Sequence, residues 1–140
     1  MEKDAIEAFL KGEFPHYANK ISIDEVGDCS ASIRHRIGRE ELRPGGTVAG
    51  PVSMLLADVV IYVAILGELG MVPMTVTTNL NINFLRKPSA EADLIARCKL
   101  LKVGRTLVVG EVNLYSEGDP DPVAHVVGTY AIPPSHRNSE

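Results

Sequence analysis

Tryptophan is absent from the 140 residues, and cysteine occurs only twice. Cys29 and Cys98 stand far apart and follow no metal-ligand spacing, so no zinc-type motif is present. Two cysteines so far apart in sequence, together with an opening Met1-Glu2-Lys3-Asp4 that does not read as a signal peptide, lead us to expect a reducing, cytoplasmic setting. A basic surplus is also missing. Lys and Arg number 14 against 18 Asp and Glu, a formal net charge of -4, which gives the chain as a whole no electrostatic reason to seek nucleic acid or an anionic membrane. The most apolar run, Pro51 to Leu66, falls short of the roughly 17 to 25 residues that cross a bilayer, and it carries Asp58 at its middle. No Gly-x-Ser-x-Gly elbow occurs, which argues against a serine hydrolase. The four histidines (His16, His35, His125 and His136) show no metal-binding pair, so neither a metal nor a bound cofactor is expected.

What is present is an ordinary globular composition, 45% hydrophobic and 23% charged, sufficient for one domain over residues 1–140. Residues 2–12, EKDAIEAFLKG, place Ile6, Phe9 and Leu10 on one face of a short covering helix. KISIDEV and SASIRHRI alternate apolar and polar residues as half-buried strands do, and pair through a turn at Gly27-Asp28. The loop RPGGTVAGP then leads into a helix that starts near Pro51 and stops at Gly70, about twenty residues and ~30 Å long. Its apolar residues point in every direction, which marks a helix enclosed by protein. MTVTTNLNINFL, ADLIARCKLL, TLVVGEVNLY and VAHVVGTYAI read as four more strands, joined by short turns into a meander. The last stretch, from residue 133 on, holds too little apolar surface to be ordered and is expected to be mobile.

Helix, two strands, long buried helix, four strands: this order calls for an α+β architecture in which a curved antiparallel sheet of about six strands wraps one central helix, the hotdog fold. Such a sheet has open edges, and a second copy is the natural cover, so a homodimer or homotetramer is expected.

Asp58 is the informative residue. It is the only charge between Arg43 and Glu68, and its neighbours one helical turn away are Met54, Leu55, Ile61 and Tyr62. A carboxylate in that company is costly unless it caps or crosslinks a neighbouring segment, faces an ordered water, or is used. The preceding glycines add to the functional side, because they present unhindered N–H groups at the positive end of the same helix, where an oxyanion would be held. Glycines before a proline also simply make turns, and for Asp58 alone the two readings stand level.

The run from Arg43 to Val63, with TTNLNINFLRKP and KVGRTL, resembles the hydroxyphenylacetyl-CoA thioesterase branch of the hotdog acyl-CoA thioesterases, over about residues 21–132. That family carries His-Gly-Gly before the helix and Leu-Ala-Asp within it. Here Ala49-Gly50-Pro51 precedes Leu56-Ala57-Asp58, so the second element matches and the first is partly kept. The resemblance implies an acyl-CoA thioesterase in which Gly50 supplies the N–H that polarises the thioester carbonyl and Asp58 is nucleophile or general base. It places Thr77 where a Ser or Thr orients the attacking water, with Thr78 beside it as the substitute. The family histidine is replaced by Ala49, and an asparagine six residues earlier by Arg43.

Gly50 and Asp58 lie eight residues apart on one helix, on the order of 10 Å, too far for one thioester carbon to touch both. If both serve one bond, Gly50 of one chain must meet Asp58 of another across a twofold axis. Coenzyme A would enter as part of the substrate, and Arg86, Lys87, Lys102, Gly104 and Arg105, at two strand ends, are the candidates for its phosphates. Strict alternation puts Asn79, Asn81 and Asn83 on one strand face with Thr77. Two other functions fit the same fold. A hotdog hydratase or dehydratase would need a histidine beside the carboxylate, whereas a non-catalytic acyl-CoA binding module would tolerate Ala49 and Arg43.

Overall fold

The computed structural model describes residues 1–133; the remaining tail, expected to be mobile, lies outside the described residues. Helix α1 (Lys3–Glu13) buries Ile6 and Leu10 and is followed by a single turn of helix, α2 (Pro15–Ala18). Strands β1 (Ile21–Gly27) and β2 (Ser30–His35) form the expected hairpin, with the turn one residue later than anticipated, at Asp28-Cys29. Cys29 takes a positive φ of 52°, and its N–H is held by Glu68 Oε1 at 3.0 Å.

The stretch read as a plain loop is built. A 3-10 turn (Arg39–Glu41) leads to a miniature hairpin, β3 (Leu42–Arg43) and β4 (Thr47–Val48). Gly45 and Gly46 close it with φ of 101° and 77°, a left-handed path that a side chain would resist. Glu41 is buried beneath it, accepting from Lys20 Nζ at 2.6 Å and from the Gly38 N–H at 2.7 Å. The Glu41 carbonyl in turn accepts the Ala49 N–H at 2.8 Å, which fixes the chain immediately before the central helix.

That helix, α3 (Gly50–Leu69), carries Pro51 in its first turn and ends at Gly70 with φ of 84°. At 20 residues it is long enough to span a bilayer, contrary to the length argument made from the apolar run alone. Burial decides its place: Leu56, Ala57, Val60, Ile61, Val63 and Leu66 are all fully enclosed by the sheet and α1. Strands β5 (Val76–Phe84), β6 (Leu94–Val103), β7 (Leu107–Ser116) and β8 (Ala124–Ala131) complete one six-stranded sheet in the order β1-β2-β6-β7-β8-β5, every pairing antiparallel. This is the hotdog arrangement. The four-strand meander needs correction, because only β6, β7 and β8 follow one another. β6 is already paired with β2, so β5 takes the far edge beside β8.

One cross-strand row sets how closely α3 approaches the sheet. Leu100, Gly110, Gly128 and Leu80 lie opposite one another on β6, β7, β8 and β5. A Cβ on Gly128 would stand 2.8 Å from Ile61 Cδ1, and one on Gly110 would stand 3.2 Å from Ile61 Cγ2. The two glycines leave a shallow seat for Ile61, and Asp58 lies one helical turn before it.

Candidate active site

Asp58 sits where α3 passes over the paired starts and ends of β5 and β8. Thr77 Oγ1 donates to Asp58 Oδ1 at 2.8 Å. Tyr130 O–H reaches both the Asp58 carbonyl, at 2.8 Å, and Asp58 Oδ1. Among the described residues no hydrogen bond reaches Oδ2 and no cation pairs with the carboxylate. Asp58 is half-buried and lines an open cleft of about 400 Å³ with Leu10, Phe14, Tyr62, Pro73, Thr77 and Tyr130. Asp58 thus ties α3 to β5 and β8 through Oδ1, as a crosslinking group would, and among the described residues it is not half of an internal ion pair. One carboxylate oxygen is clamped by two hydroxyls, the other accepts no hydrogen bond from the described residues, and the residue borders the cleft.

Thr77 reaches Asp58 through a break in the strand pattern. A bulge between Thr77 and Asn79 shifts the register against β8, so Thr77 faces α3 on the same side as Leu80 and Ile82. The asparagines lie on the opposite, exposed face, and not with Thr77 as strict alternation implied. Thr78 points away and donates to the Thr129 carbonyl.

Gly50 opens α3 at the other end of the edge strand, with Phe84 Cζ 3.5 Å from where its Cβ would be. Its N–H belongs to the first helical turn, whose amides have no acceptor within the helix. It lines a separate cleft of about 630 Å³ together with Arg43, Phe84, Arg86 and Lys87. Among the described residues none lines both clefts. The Gly50 cleft gathers three cations at a positive helix end, a setting for an anion or a developing oxyanion.

The five phosphate candidates do not form one group within a chain. Arg86 and Lys87 border the Gly50 cleft, where Arg86 also donates to the Pro122 carbonyl at 2.9 Å. Lys102, Gly104 and Arg105 occupy the β6–β7 turn at the opposite end of the sheet, next to the strand ends Ala131 and Val76. Gly104 serves that turn directly, giving its N–H to the Leu107 carbonyl at 2.9 Å.

Tyr130 is the site residue that sequence reasoning missed. Burial first, then the neighbouring Asp58 charge, push its phenol well above the usual range, so it is a permanent donor. The available signal was a lone tyrosine on the inward face of β8, in step with Val126 and Gly128. Cys98 faces the core beside Gly110, where burial, with a smaller contribution from Glu111, pushes its thiol up to about 12; it is unsuited to nucleophilic work.

The sequence profile of the thioesterase superfamily matches residues 45–123, more than half of the chain and the whole span from the Gly50 loop through Asp58 and Thr77. The chain belongs to the thioesterase superfamily. Thioester hydrolysis is the chemistry that membership assigns to this thioesterase-superfamily chain. Among solved structures it is similar to a protein from Silicibacter sp. TM1040 provisionally named a thioesterase, with 43% identity, a TM-score of 0.89, and 96% of this chain and 93% of the other covered. Zebra fish thioesterase superfamily member 2 shares the fold at 18% identity, with a TM-score of 0.85 over 95% and 99% of the two chains. The phenylacetic acid degradation protein PaaI from Thermus thermophilus does so at 20% identity, with a TM-score of 0.72 over 90% and 99%. No curated protein sequence is significantly similar to the chain.

Proposed function

We propose that this protein hydrolyses acyl-CoA thioesters to the free acid and coenzyme A, in composite sites that join the Asp58 cleft of one subunit to the Gly50 cleft of another. One observation carries the reading: the clamped carboxylate and the helix-end amide lie in different clefts, near opposite ends of the unpaired edge strand β5. A twofold axis midway between Thr77 and Phe84 would set Thr77 of one copy opposite Phe84 of the other, and so Asp58 against Gly50. Met54, halfway between Gly50 and Asp58 on α3, is 42% exposed, and Val76 and Phe84 along the same edge are 55% and 56% exposed. An apolar, unpaired edge of this kind suits a second copy.

In that site the Gly50 N–H, backed by the positive end of α3, polarises the thioester carbonyl and holds the oxyanion. Asp58 Oδ2 either takes a proton from water as that water attacks, or attacks the carbonyl itself; both routes release the thiol of coenzyme A and end with water consumed. The Thr77 hydroxyl hydrogen is already engaged by Oδ1, so towards an attacking water Thr77 can act only as an acceptor. Arg43, Arg86 and Lys87 form a basic rim suited to the phosphates of coenzyme A, while the partner's turn bearing Lys102 and Arg105 would come to the same end of the joined sheets. Among the described residues neither cleft is lined by histidine, which disfavours a hydratase.

Thiol release from a panel of acyl-CoAs by wild type and by Asp58→Asn tests the proposal. The substitution should lower turnover by a hundredfold or so. Equal rates in both proteins would reject Asp58 as the catalytic group, and coenzyme A binding without any hydrolysis would favour a binding module.

A further inference from the structure

Among the described residues, the wall of the 400 Å³ cleft is uncharged apart from Asp58. Its hydroxyls already have acceptors within the protein: Tyr62 donates to the Pro73 carbonyl at 3.0 Å, Thr75 to the Val72 carbonyl at 2.8 Å, and Thr77 and Tyr130 to Asp58. Among the described residues of that subunit, a ligand carboxylate entering there would find no cation and no spare side-chain hydroxyl, and would face Asp58. Hydrocarbon, by contrast, would meet Leu10, Phe14, Val59 and Pro73.

Phe14 is the fixed part of that wall. Its ring meets Tyr62 edge to face, centroids 6.3 Å apart, and Phe9 backs it at 6.5 Å. Its backbone is held from both sides, the N–H by the Leu10 carbonyl at 2.8 Å and the carbonyl by the Ala18 N–H at 3.0 Å. Leu10 and Phe14 also precede the segment, residues 45–123, that matches the superfamily. The amino-terminal helix therefore adds to the cleft something the matched segment does not supply.

We propose, resting on the acyl-CoA reading above, that this helix together with Phe14, the residue that ends it, is the specificity element: Phe14, locked against Tyr62, closes the Asp58 cleft into an apolar acyl pocket. The pocket takes uncharged hydrocarbon acyl groups up to a length set by Phe14, and excludes acyl groups that carry a second carboxylate. Each added methylene should tighten binding roughly fourfold, the transfer value, until the chain meets the Phe14 ring.

The test uses S-alkyl-coenzyme A thioethers, which cannot be hydrolysed, with the intact protein. Calorimetry gives Kd for S-butyl-, S-hexyl-, S-octyl- and S-(3-carboxypropyl)-CoA with wild type, Phe14→Ala and Phe14→Trp. The length at which affinity stops rising should move up in Phe14→Ala and down in Phe14→Trp, and the carboxypropyl compound should bind wild type on the order of a hundredfold more weakly than the butyl one. The opposite shifts in two variants guard against a general loss of folding. One length profile common to all three proteins, equal binding of the carboxylated compound, or no thioether binding at all would overturn the proposal. Thioether binding that follows the prediction without acyl-CoA hydrolysis by wild type would reject the hydrolase reading and leave the pocket standing.

Discussion

Asp58 holds one oxygen still and offers the other. Thr77 and Tyr130 converge on Oδ1, so loss of either hydroxyl should loosen the carboxylate without removing it. For Tyr130→Phe we expect kcat to fall about tenfold with KM nearly unchanged, the pattern of a group that matters in the transition state more than in binding. Because burial and the Asp58 charge disfavour ionisation of Tyr130, the phenol stays protonated through the usual tyrosine range near pH 10. The alkaline limb of kcat/KM should then be the same in wild type and Tyr130→Phe; an alkaline fall present only in wild type would show that the phenol titrates. Thr77→Ser should retain most activity and Thr77→Val should not. Asp58 was legible in the sequence because a charge in the middle of an apolar helix stands out. Tyr130 was not, since it lies 72 positions away and nothing local ties it to that charge.

Among the elements, α3 depends on the glycine seat beneath Ile61. Gly128→Ala would put a methyl 2.8 Å from Ile61 Cδ1 and 3.0 Å from Leu80 Cδ1, and should cost about 1–3 kcal/mol of stability by overpacking. Ile61→Val removes the nearer of those carbons, so the double variant should recover part of the loss in a denaturant-melt cycle; strict additivity would contradict the seat. The helix entry has its own dependence, on pH. Burial works against the Glu41 carboxylate, but hydrogen bonds from Lys20 and the Gly38 N–H outweigh it and hold the group below its ordinary value of 4.5. A carboxyl depressed in the folded state stabilises above its unfolded value, and that contribution disappears as pH falls through the folded value. Glu41→Gln should therefore lower Tm by a few degrees at neutral pH and by progressively less below about pH 4.5. The long helix and the strands were readable from period and turn residues. The miniature hairpin β3/β4 and the β5 bulge were not, because two-residue strands have no period and a bulge is an interruption of one.

For the whole molecule, the architecture followed from the order of elements, but the place of β5 did not. Alternation reports which face of a strand is buried and says nothing about its neighbour, and the exposed pattern of β5 becomes meaningful only once it lies at the edge of the sheet. That position turns two clefts of one chain into proposed halves of a joint site. Met54→Lys would set like charges on either side of the proposed axis and should yield a folded protein that sediments as a smaller species with little activity. A monomer of full activity would contradict the joint site.

Subunit mixing addresses that claim most directly. Gly50→Pro deletes the amide N–H at a helix-start position where proline fits, since Ala49 is already extended at ψ 138°. Gly50→Pro and Asp58→Asn should each be nearly inactive alone. Unfolded and refolded together in equal amounts, they should regain about a quarter of wild-type activity, because half of randomly formed dimers pair the two variants and each such dimer holds one intact site out of two. A mixture no more active than its components would contradict a site shared between subunits.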